Sequence, residues 1–479
     1  MSHCVAPAAI CVAQRASVDT GANSGKSVLV RRAAVPLLSL TVGVVLADSA
    51  IVTLALPEIL RHLGGSVAQV AWVLIAFNLV LALVVVPAAS ACTRWNPAPL
   101  CAAGIAVFAG ASAACALAGT MEVLIAARCA QALGGAFALV GCLELLVSAT
   151  DEKRGVARWT MAGVLGTAVG PVAGGLLTEA ISWQSIFIVQ VPIAVLAVPA
   201  ALAIRGNPDR AVAKQRPAFA PNLALVLLSA ALTAALFLLV LLLVEGWGRS
   251  PAIAALTVSV VPVAAFIATP LARRVRAGPR SETAAGCLLI AGGLAGLAIP
   301  PSAHLAWTIA PQALIGLGLG LTVDSLTFAA LRDRVPRAIH GGWTIGARHA
   351  GVVLGLALLT PVFTADLVDA QGPAQEAITG LVLDAPLPVR DKIALANGLS
   401  DQLASERGRV PDLHPAFAAL QVAPEQRPAA QALERNLDEQ LERAATRAFR
   451  DSFLIGAALA LAALVPLIPF GLLRSRVKT

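Results

Sequence analysis

Four ionisable residues, Asp48, Arg128, Asp324 and Arg348, stand inside long stretches of otherwise apolar sequence. An ionised side chain near the centre of a bilayer costs about 2.5–3.5 kcal/mol on insertion scales, so such groups pair with each other or line a path for ions or solutes. Depth along the chain suggests two couples. Asp48 and Arg128 fall on the order of 10 Å below the outer surface, and Asp324 and Arg348 each lie about six residues from the cytoplasmic end of their segments. Desolvation and a neighbouring arginine pull a carboxylate's protonation in opposite directions, so movement of the arginine or arrival of a solute switches it. That is the chemistry of proton coupling, with Asp48 as carrier and Arg128 as its partner. Static ion pairing between helices is the plainer alternative. Glu144 is a further acid for the same role unless it simply reaches the cytoplasmic interface, and His349 beside Arg348 reads as a packing or interface histidine.

The elements that must position these groups are membrane helices. With 58% hydrophobic and 13% charged residues, and a mean hydropathy of +0.81, a chain of 479 residues is an integral membrane protein. Twelve apolar stretches are long enough to cross as helices: about 33–56, 69–91, 99–118, 122–147, 159–180, 184–204, 221–243, 251–271, 283–300, 304–330, 342–364 and 452–473. With cytoplasmic termini, 22 Lys and Arg fall in or beside the inner segments, and only Arg61 and Arg249 in the short outer loops. This positive-inside bias places the multi-pass chain in a plasma (inner) membrane and accounts for the net charge of +8 without nucleic-acid binding. High alanine content and single-chain architecture point to a bacterial membrane.

The segments divide into a cytoplasmic tail (1–32), an N-terminal six-helix half (33–204), a cytoplasmic linker (205–220), a C-terminal six-helix half (221–364 and 450–473) and a cytoplasmic tail (474–479). A weak internal repeat supports two halves: Gln131-Ala-Leu-Gly-Gly135 returns as Gln312-Ala-Leu-Ile-Gly316, with Glu144 and Asp324 at similar distances beyond. Residues 365–449 are the exception. They carry 13 acidic and 8 basic residues and fall outside the cell between helices eleven and twelve. Ile393, Ala396, Leu399 and Leu403, then Leu433, Leu437, Leu441 and Ala445, recur at helical spacing. These predict a small helical cap on which an extracytoplasmic partner could dock, with helix twelve projecting roughly 33 Å from the membrane.

Helix five carries Gly163-Val-Leu-Gly166-Thr-Ala-Val-Gly170-Pro171-Val-Ala-Gly174-Gly175. Gly166, Gly170 and Gly174 fall four apart and line one face that another backbone can approach closely, while Pro171 removes a backbone donor. The order Gly-Pro followed by Gly-Gly resembles the fifth-helix signature of antiporters in the major facilitator superfamily. Leu46-Ala-Asp48-Ser-Ala-Ile51 running to Ala55-Leu56-Pro57 resembles the first-helix signature of its drug:proton antiporters. Trp72-Val73 with Ala76-Phe77-Asn78-Leu79, Arg128-Cys-Ala-Gln131-Ala-Leu-Gly134, Trp183 to Pro192, and Arg348-His-Ala-Gly351 are similar to motifs of helices two, four, six and eleven. Val244-Glu245-Gly-Trp247 is like the fourteen-helix branch, although twelve helices are counted here. The loop after helix two, Ser90 to Pro99, lacks the acid of the family pattern, as does Arg273 to Gly278.

The resemblance implies two six-helix bundles rocking about a central cavity, a monomer exporting drugs or other lipophilic small molecules, cationic amphiphiles among them, in exchange for protons. It also implies a helix five that seals tightly against the opposite half. Asn78, Gln131, Trp307 and Gln312 are candidate cavity-lining groups. A dedicated exporter of a metabolite or lipid whose cap serves a partner is one alternative, and a transport-dead receptor or scaffold is another. No nucleophile and base set, metal cluster or cofactor loop marks an enzyme, so no cofactor is expected.

Overall fold

The computed structural model describes residues 10–206, 215–275, 278–300, 302–405, 413–420 and 423–467. The tail 474–479 with the expected end of helix twelve (468–473), the first nine residues and half of the linker 205–220 lie outside the described residues, as does the side chain of Leu403. Every regular element among the described residues is helical. In chain order they are α1 (Ile10–Leu63), α2 (Val67–Arg94), α3 (Pro97–Ala116), α4 (Met121–Ala149), α5 (Glu152–Ala180), α6 (Ser185–Leu202), α7 (Phe219–Gly246), α8 (Pro251–Ala268), α9 (Pro279–Leu297), α10 (Ala306–Leu331), α11 (Arg337–Asp384), α12 (Val389–Ser405), α13 (His414–Ala418) and α14 (Pro424–Leu467).

Eleven of these are long and apolar enough to cross a membrane. The twelfth expected span is α9, whose 19 residues open on the polar turn Pro279-Arg-Ser-Glu282, leaving a shorter apolar run. It packs along α10, where Gly286, Gly293 and Gly318 bring the two backbones together. Of two extensive apolar cores, one lies among α1 to α4 and α6, and the other runs from α7, α9 and α14 into the ends of α1, α2 and α4 and the start of α6, so it joins the two halves. The halves meet along α2 against α11, where Gly342 and Gly346 abut Val85 and Ala82, and along α5 against α8.

Helix starts follow ordinary capping chemistry. Ser66 and Gln69 form a reciprocal capping box at α2, Thr120 caps α4 and Asp151 caps α5. The outer half of α7 differs, for it carries two π-helical stretches, Ala234–Leu238 and Leu242–Gly246, both largely buried. Helical periodicity does not signal them.

The described residues of 365–449 are mostly helical and have their own small core of Ile378, Val382, Leu387, Leu395, Leu399, Phe417, Leu433, Leu437 and Leu441. Helix α14 runs from this cap into the expected twelfth span with a single turn residue, Phe449, between its two α-helical parts. Helix α11 is unbroken, and its 48 residues pass straight through Gly372-Pro373 to Asp384. The register in α12 differs from expectation. Leu395 and Leu399 are buried while Ile393 is 57% exposed and Ala396 is exposed, because α12 rests on the cap core by a face that shares Leu399 with the expected one but takes Leu395, one position before Ala396.

Candidate functional site

At the middle of the N-terminal half, Asp48 of α1 and Arg128 of α4 form an ion pair, and neither side chain is exposed at all. Arg128 also donates through Nη1 to Gln131 Oε1 at 2.5 Å and through Nε to the Val73 carbonyl at 3.3 Å. Its guanidinium lies 4.1 Å from the Phe77 ring centre and 5.8 Å from that of Phe187. The second carboxylate oxygen of Asp48 accepts from Gln190 Nε2 at 3.0 Å and Gln131 Nε2 at 3.3 Å. Gln131 Nε2 also approaches Ser112 Oγ (2.9 Å) and Gln190 Oε1 (3.0 Å), so two amide hydrogens are shared among three acceptors. All four helices contribute: α1 the acid, α4 the arginine and Gln131, α3 Ser112, and α6 Gln190.

Donors alone surround Asp48, so the site is built for a carboxylate. A proton arriving there would strip Arg128 of its counter-charge inside a sealed, low-dielectric pocket, which is unfavourable unless another partner appears or the pocket opens. The arrangement therefore ties protonation to rearrangement. Gln190 and Ser112 were not singled out from the sequence for this role. The available signal was an amide in the apolar run Ile188-Val-Gln190-Val, the kind of residue that must find a buried partner.

From this network a chain of contacts crosses to the other half. Ser49, next to Asp48, accepts from Asn78 Nδ2 at 3.3 Å, and Asn78 Nδ2 also reaches the Leu74 carbonyl at 2.8 Å. Asn78 Oδ1 then takes a 2.6 Å hydrogen bond from His349 Nδ1 of α11. Since Oδ1 can only accept, His349 carries its hydrogen on Nδ1 in this arrangement. Asn78 is wholly buried, so it joins the halves rather than lining a cavity.

The expected inner couple does not close. Asp324 and Arg348 are both exposed and make no hydrogen bond or ion pair among the described residues, although Asp324 is close enough for its charge to act on Arg348. They project from different helices at depths that differ by about one helical turn. Glu144 is half-buried within electrostatic reach of Cys92. Gln131 and Gln312 are fully buried. Gln312 donates to Thr308 on its own helix at 3.0 Å and leaves its Oε1 without a partner, while Trp307 is 54% exposed near the outer end of α10.

Helix five also departs from expectation. Gly166, Gly170 and Gly174 face α1 of their own half, where a methyl group would strike the backbone at Gly43, Ala47 and Ile51, and Gly163 faces the tip of Leu46. Pro171 is buried among them. Gly175 alone in this series faces the opposite half, meeting Pro251 and Ala255 of α8. The spacing of four stacks the other three on a single face, and α1 occupies it. Nearby, Glu179 Oε2 accepts from the Ala252 backbone nitrogen at 2.8 Å at the start of α8, and Arg61 pairs with Glu245 at 3.0 Å.

The family model described as Major Facilitator Superfamily matches residues 38–360. The chain is 33% identical over 235 residues to the tetracenomycin C resistance and export protein of Streptomyces glaucescens, covering 48% of this chain and 43% of that one. It is 34% identical over 165 residues to the methylenomycin A resistance protein of Streptomyces coelicolor, covering 33% and 35%. The matches thus span less than half the length of these relatives. Its fold resembles a bacterial homologue of the human lysosomal transporter Spinster in an inward-facing, occupied conformation, with a TM-score of 0.60 at 16% identity over 92% of this chain and 98% of that one.

Proposed function

The chain belongs to the Major Facilitator Superfamily, and on that premise we propose that it exports drugs or other lipophilic small molecules across a bacterial plasma membrane in exchange for protons, by alternating access. The observation that carries this reading is the sealed Asp48–Arg128 pair ringed by Gln131, Gln190 and Ser112. One buried carboxylate with donors alone around it is a proton acceptor whose neutralisation frees a buried cation. The chain Ser49–Asn78–His349 supplies the means for that change to reach the opposite half.

In the proposed cycle the outer seam is closed by Gly175 and Glu179 against α8 and by Arg61 with Glu245. Substrate enters from the cytoplasm or inner leaflet. A proton reaching Asp48 from outside then loosens Arg128, and the halves rock back. Both termini are cytoplasmic in this scheme, the two six-helix halves move about the 205–220 linker, and the 365–449 cap stands outside. Resistance and export proteins among the relatives support the export direction.

The test is growth of an efflux-deficient bacterial host on a panel of lipophilic antibiotics and dyes, with wild type or Asp48→Asn at matched membrane levels. Protection by wild type that Asp48→Asn loses supports proton-driven export through this carboxylate. Equal protection by both removes Asp48 from the mechanism.

A further inference from the structure

Arg348 lies 11 residues into α11, roughly 16 Å along the helix, which is near the middle of a hydrocarbon core about 30 Å thick. Its neighbour His349 fixes that level independently, since it bonds Asn78, which bonds Ser49 beside Asp48. Arg348 is an exposed residue and makes no hydrogen bond or ion pair among the described residues, although the charge of Asp324 reaches it.

The direction it faces follows from its helix. Gly342 and Gly346 abut α2, Gly351 and Gly355 abut Val226 and Ala230 of α7, and the exposed Trp343 and Leu354 mark the face turned to lipid. At 100° per residue, Arg348 falls between the two packing faces, about 120° to 140° around from Trp343 and Leu354. It points into the space between the halves. Across that space the Asp48 and Arg128 charges are sealed from contact, so the positive charge of Arg348 is the one offered to a solute at this depth, opposed by Asp324 about one helical turn away. Asp324 lies nearer the cytoplasm, on the approach to it.

We propose that Arg348 is the headgroup site for the transported molecule, and that this molecule is an amphiphile with an anionic group, a carboxylate or ionised phenol, on an apolar body. The inference rests on the reading of the chain as an exporter and narrows its substrate class away from cationic amphiphiles. A guanidinium offers a planar pair of donors to a carboxylate, and an unpaired one at membrane depth gains more from such a partner than one in water. Asp324 then opposes the headgroup as it enters and favours its release.

The test uses the full-length protein in phosphatidylcholine nanodiscs without a proton gradient, titrated with anthracene carboxylate and with its aminomethyl counterpart, a matched fluorescent anion and cation. Wild type binds the carboxylate about tenfold or more tightly than the ammonium. Arg348→Gln abolishes that preference, Arg348→Lys keeps part of it, and Asp324→Asn tightens carboxylate binding. The opposite signs at Arg348 and Asp324 separate a charge effect from damage to the fold, which thermal unfolding of each variant checks. Preference for the ammonium, no binding of either compound, or an unchanged ratio in Arg348→Gln overturns the assignment. Because binding is measured without a proton gradient, loss of export in Asp48→Asn tests the coupling mechanism, whereas loss of the carboxylate preference in Arg348→Gln tests the headgroup site alone.

Discussion

A single methyl group at Gly175 tests whether the α5–α8 contact is a gate. In Gly175→Ala the new carbon meets the Ala255 side chain and lies 2.6 Å from the Pro251 carbonyl oxygen, with no flexible side chain to yield. Overpacking of this kind costs about 1–3 kcal/mol. Because α5 and α8 part when the outer side opens, the cost falls on the closed arrangement alone. The closed-to-open ratio then moves by about 5- to 150-fold. Thr178 gives the readout. It is 6% exposed, lies three residues along α5, and its hydroxyl has no partner to lose. Thr178→Cys is labelled from outside intact cells with a membrane-impermeant maleimide, with the parent protein as blank. The labelling rate rises by the same factor as the open population when Gly175→Ala is added. An unchanged rate in a folded double variant refutes the gate, as does equal acceleration by Gly166→Ala, which crowds α1 within one half.

Two other glycine contacts of α5 rank themselves. Gly166→Ala meets the Gly43 backbone and lowers the melting temperature of the purified protein by several degrees. Gly163→Ala, which meets the mobile Leu46 tip at 2.6 Å, has little effect. Gln190→Leu removes a donor to Asp48 and a partner of Gln131 and Ser112 in a buried network. It destabilises by about 1–3 kcal/mol in thermal unfolding and reduces drug resistance at matched expression. Arg61→Ala and Glu245→Gln each change outer-seam labelling by no more than a few-fold, since Arg61 is half exposed and such pairs contribute about 0–1 kcal/mol. A double-mutant cycle on that pair near zero supports this, and a large coupling contradicts it.

Helix α5 shows where sequence reading stops. Spacing alone put Gly166, Gly170 and Gly174 on one face, and they do share one. Which neighbour fills the face depends on how neighbouring helices rotate, a long-range property that no periodicity encodes, and α1 fills it. Asp48 and Arg128 were matched by depth because an unpaired buried charge is so unfavourable that the partner search is short. The same rule mispaired Asp324 with Arg348. It assumes burial, and both residues are exposed, so neither need find a partner within the fold.

The cap carries the same lesson in polar surroundings. Leu433, Leu437 and Leu441 were legible because an amphipathic helix among charged residues has high contrast, and all three are buried in the cap core. The extension of α11 was not, because Gly372-Pro373 reads as a helix breaker. Proline costs a helix one hydrogen bond and some strain, whereas ending α11 there would forfeit the burial of Ile378 and Val382 and the packing of Leu381 against the cap core. Three apolar side chains outweigh one lost bond. Helix α11 thus runs unbroken from Arg337 past His349 to Asp384, and a partner that grips the cap therefore acts on the same helix that carries Arg348.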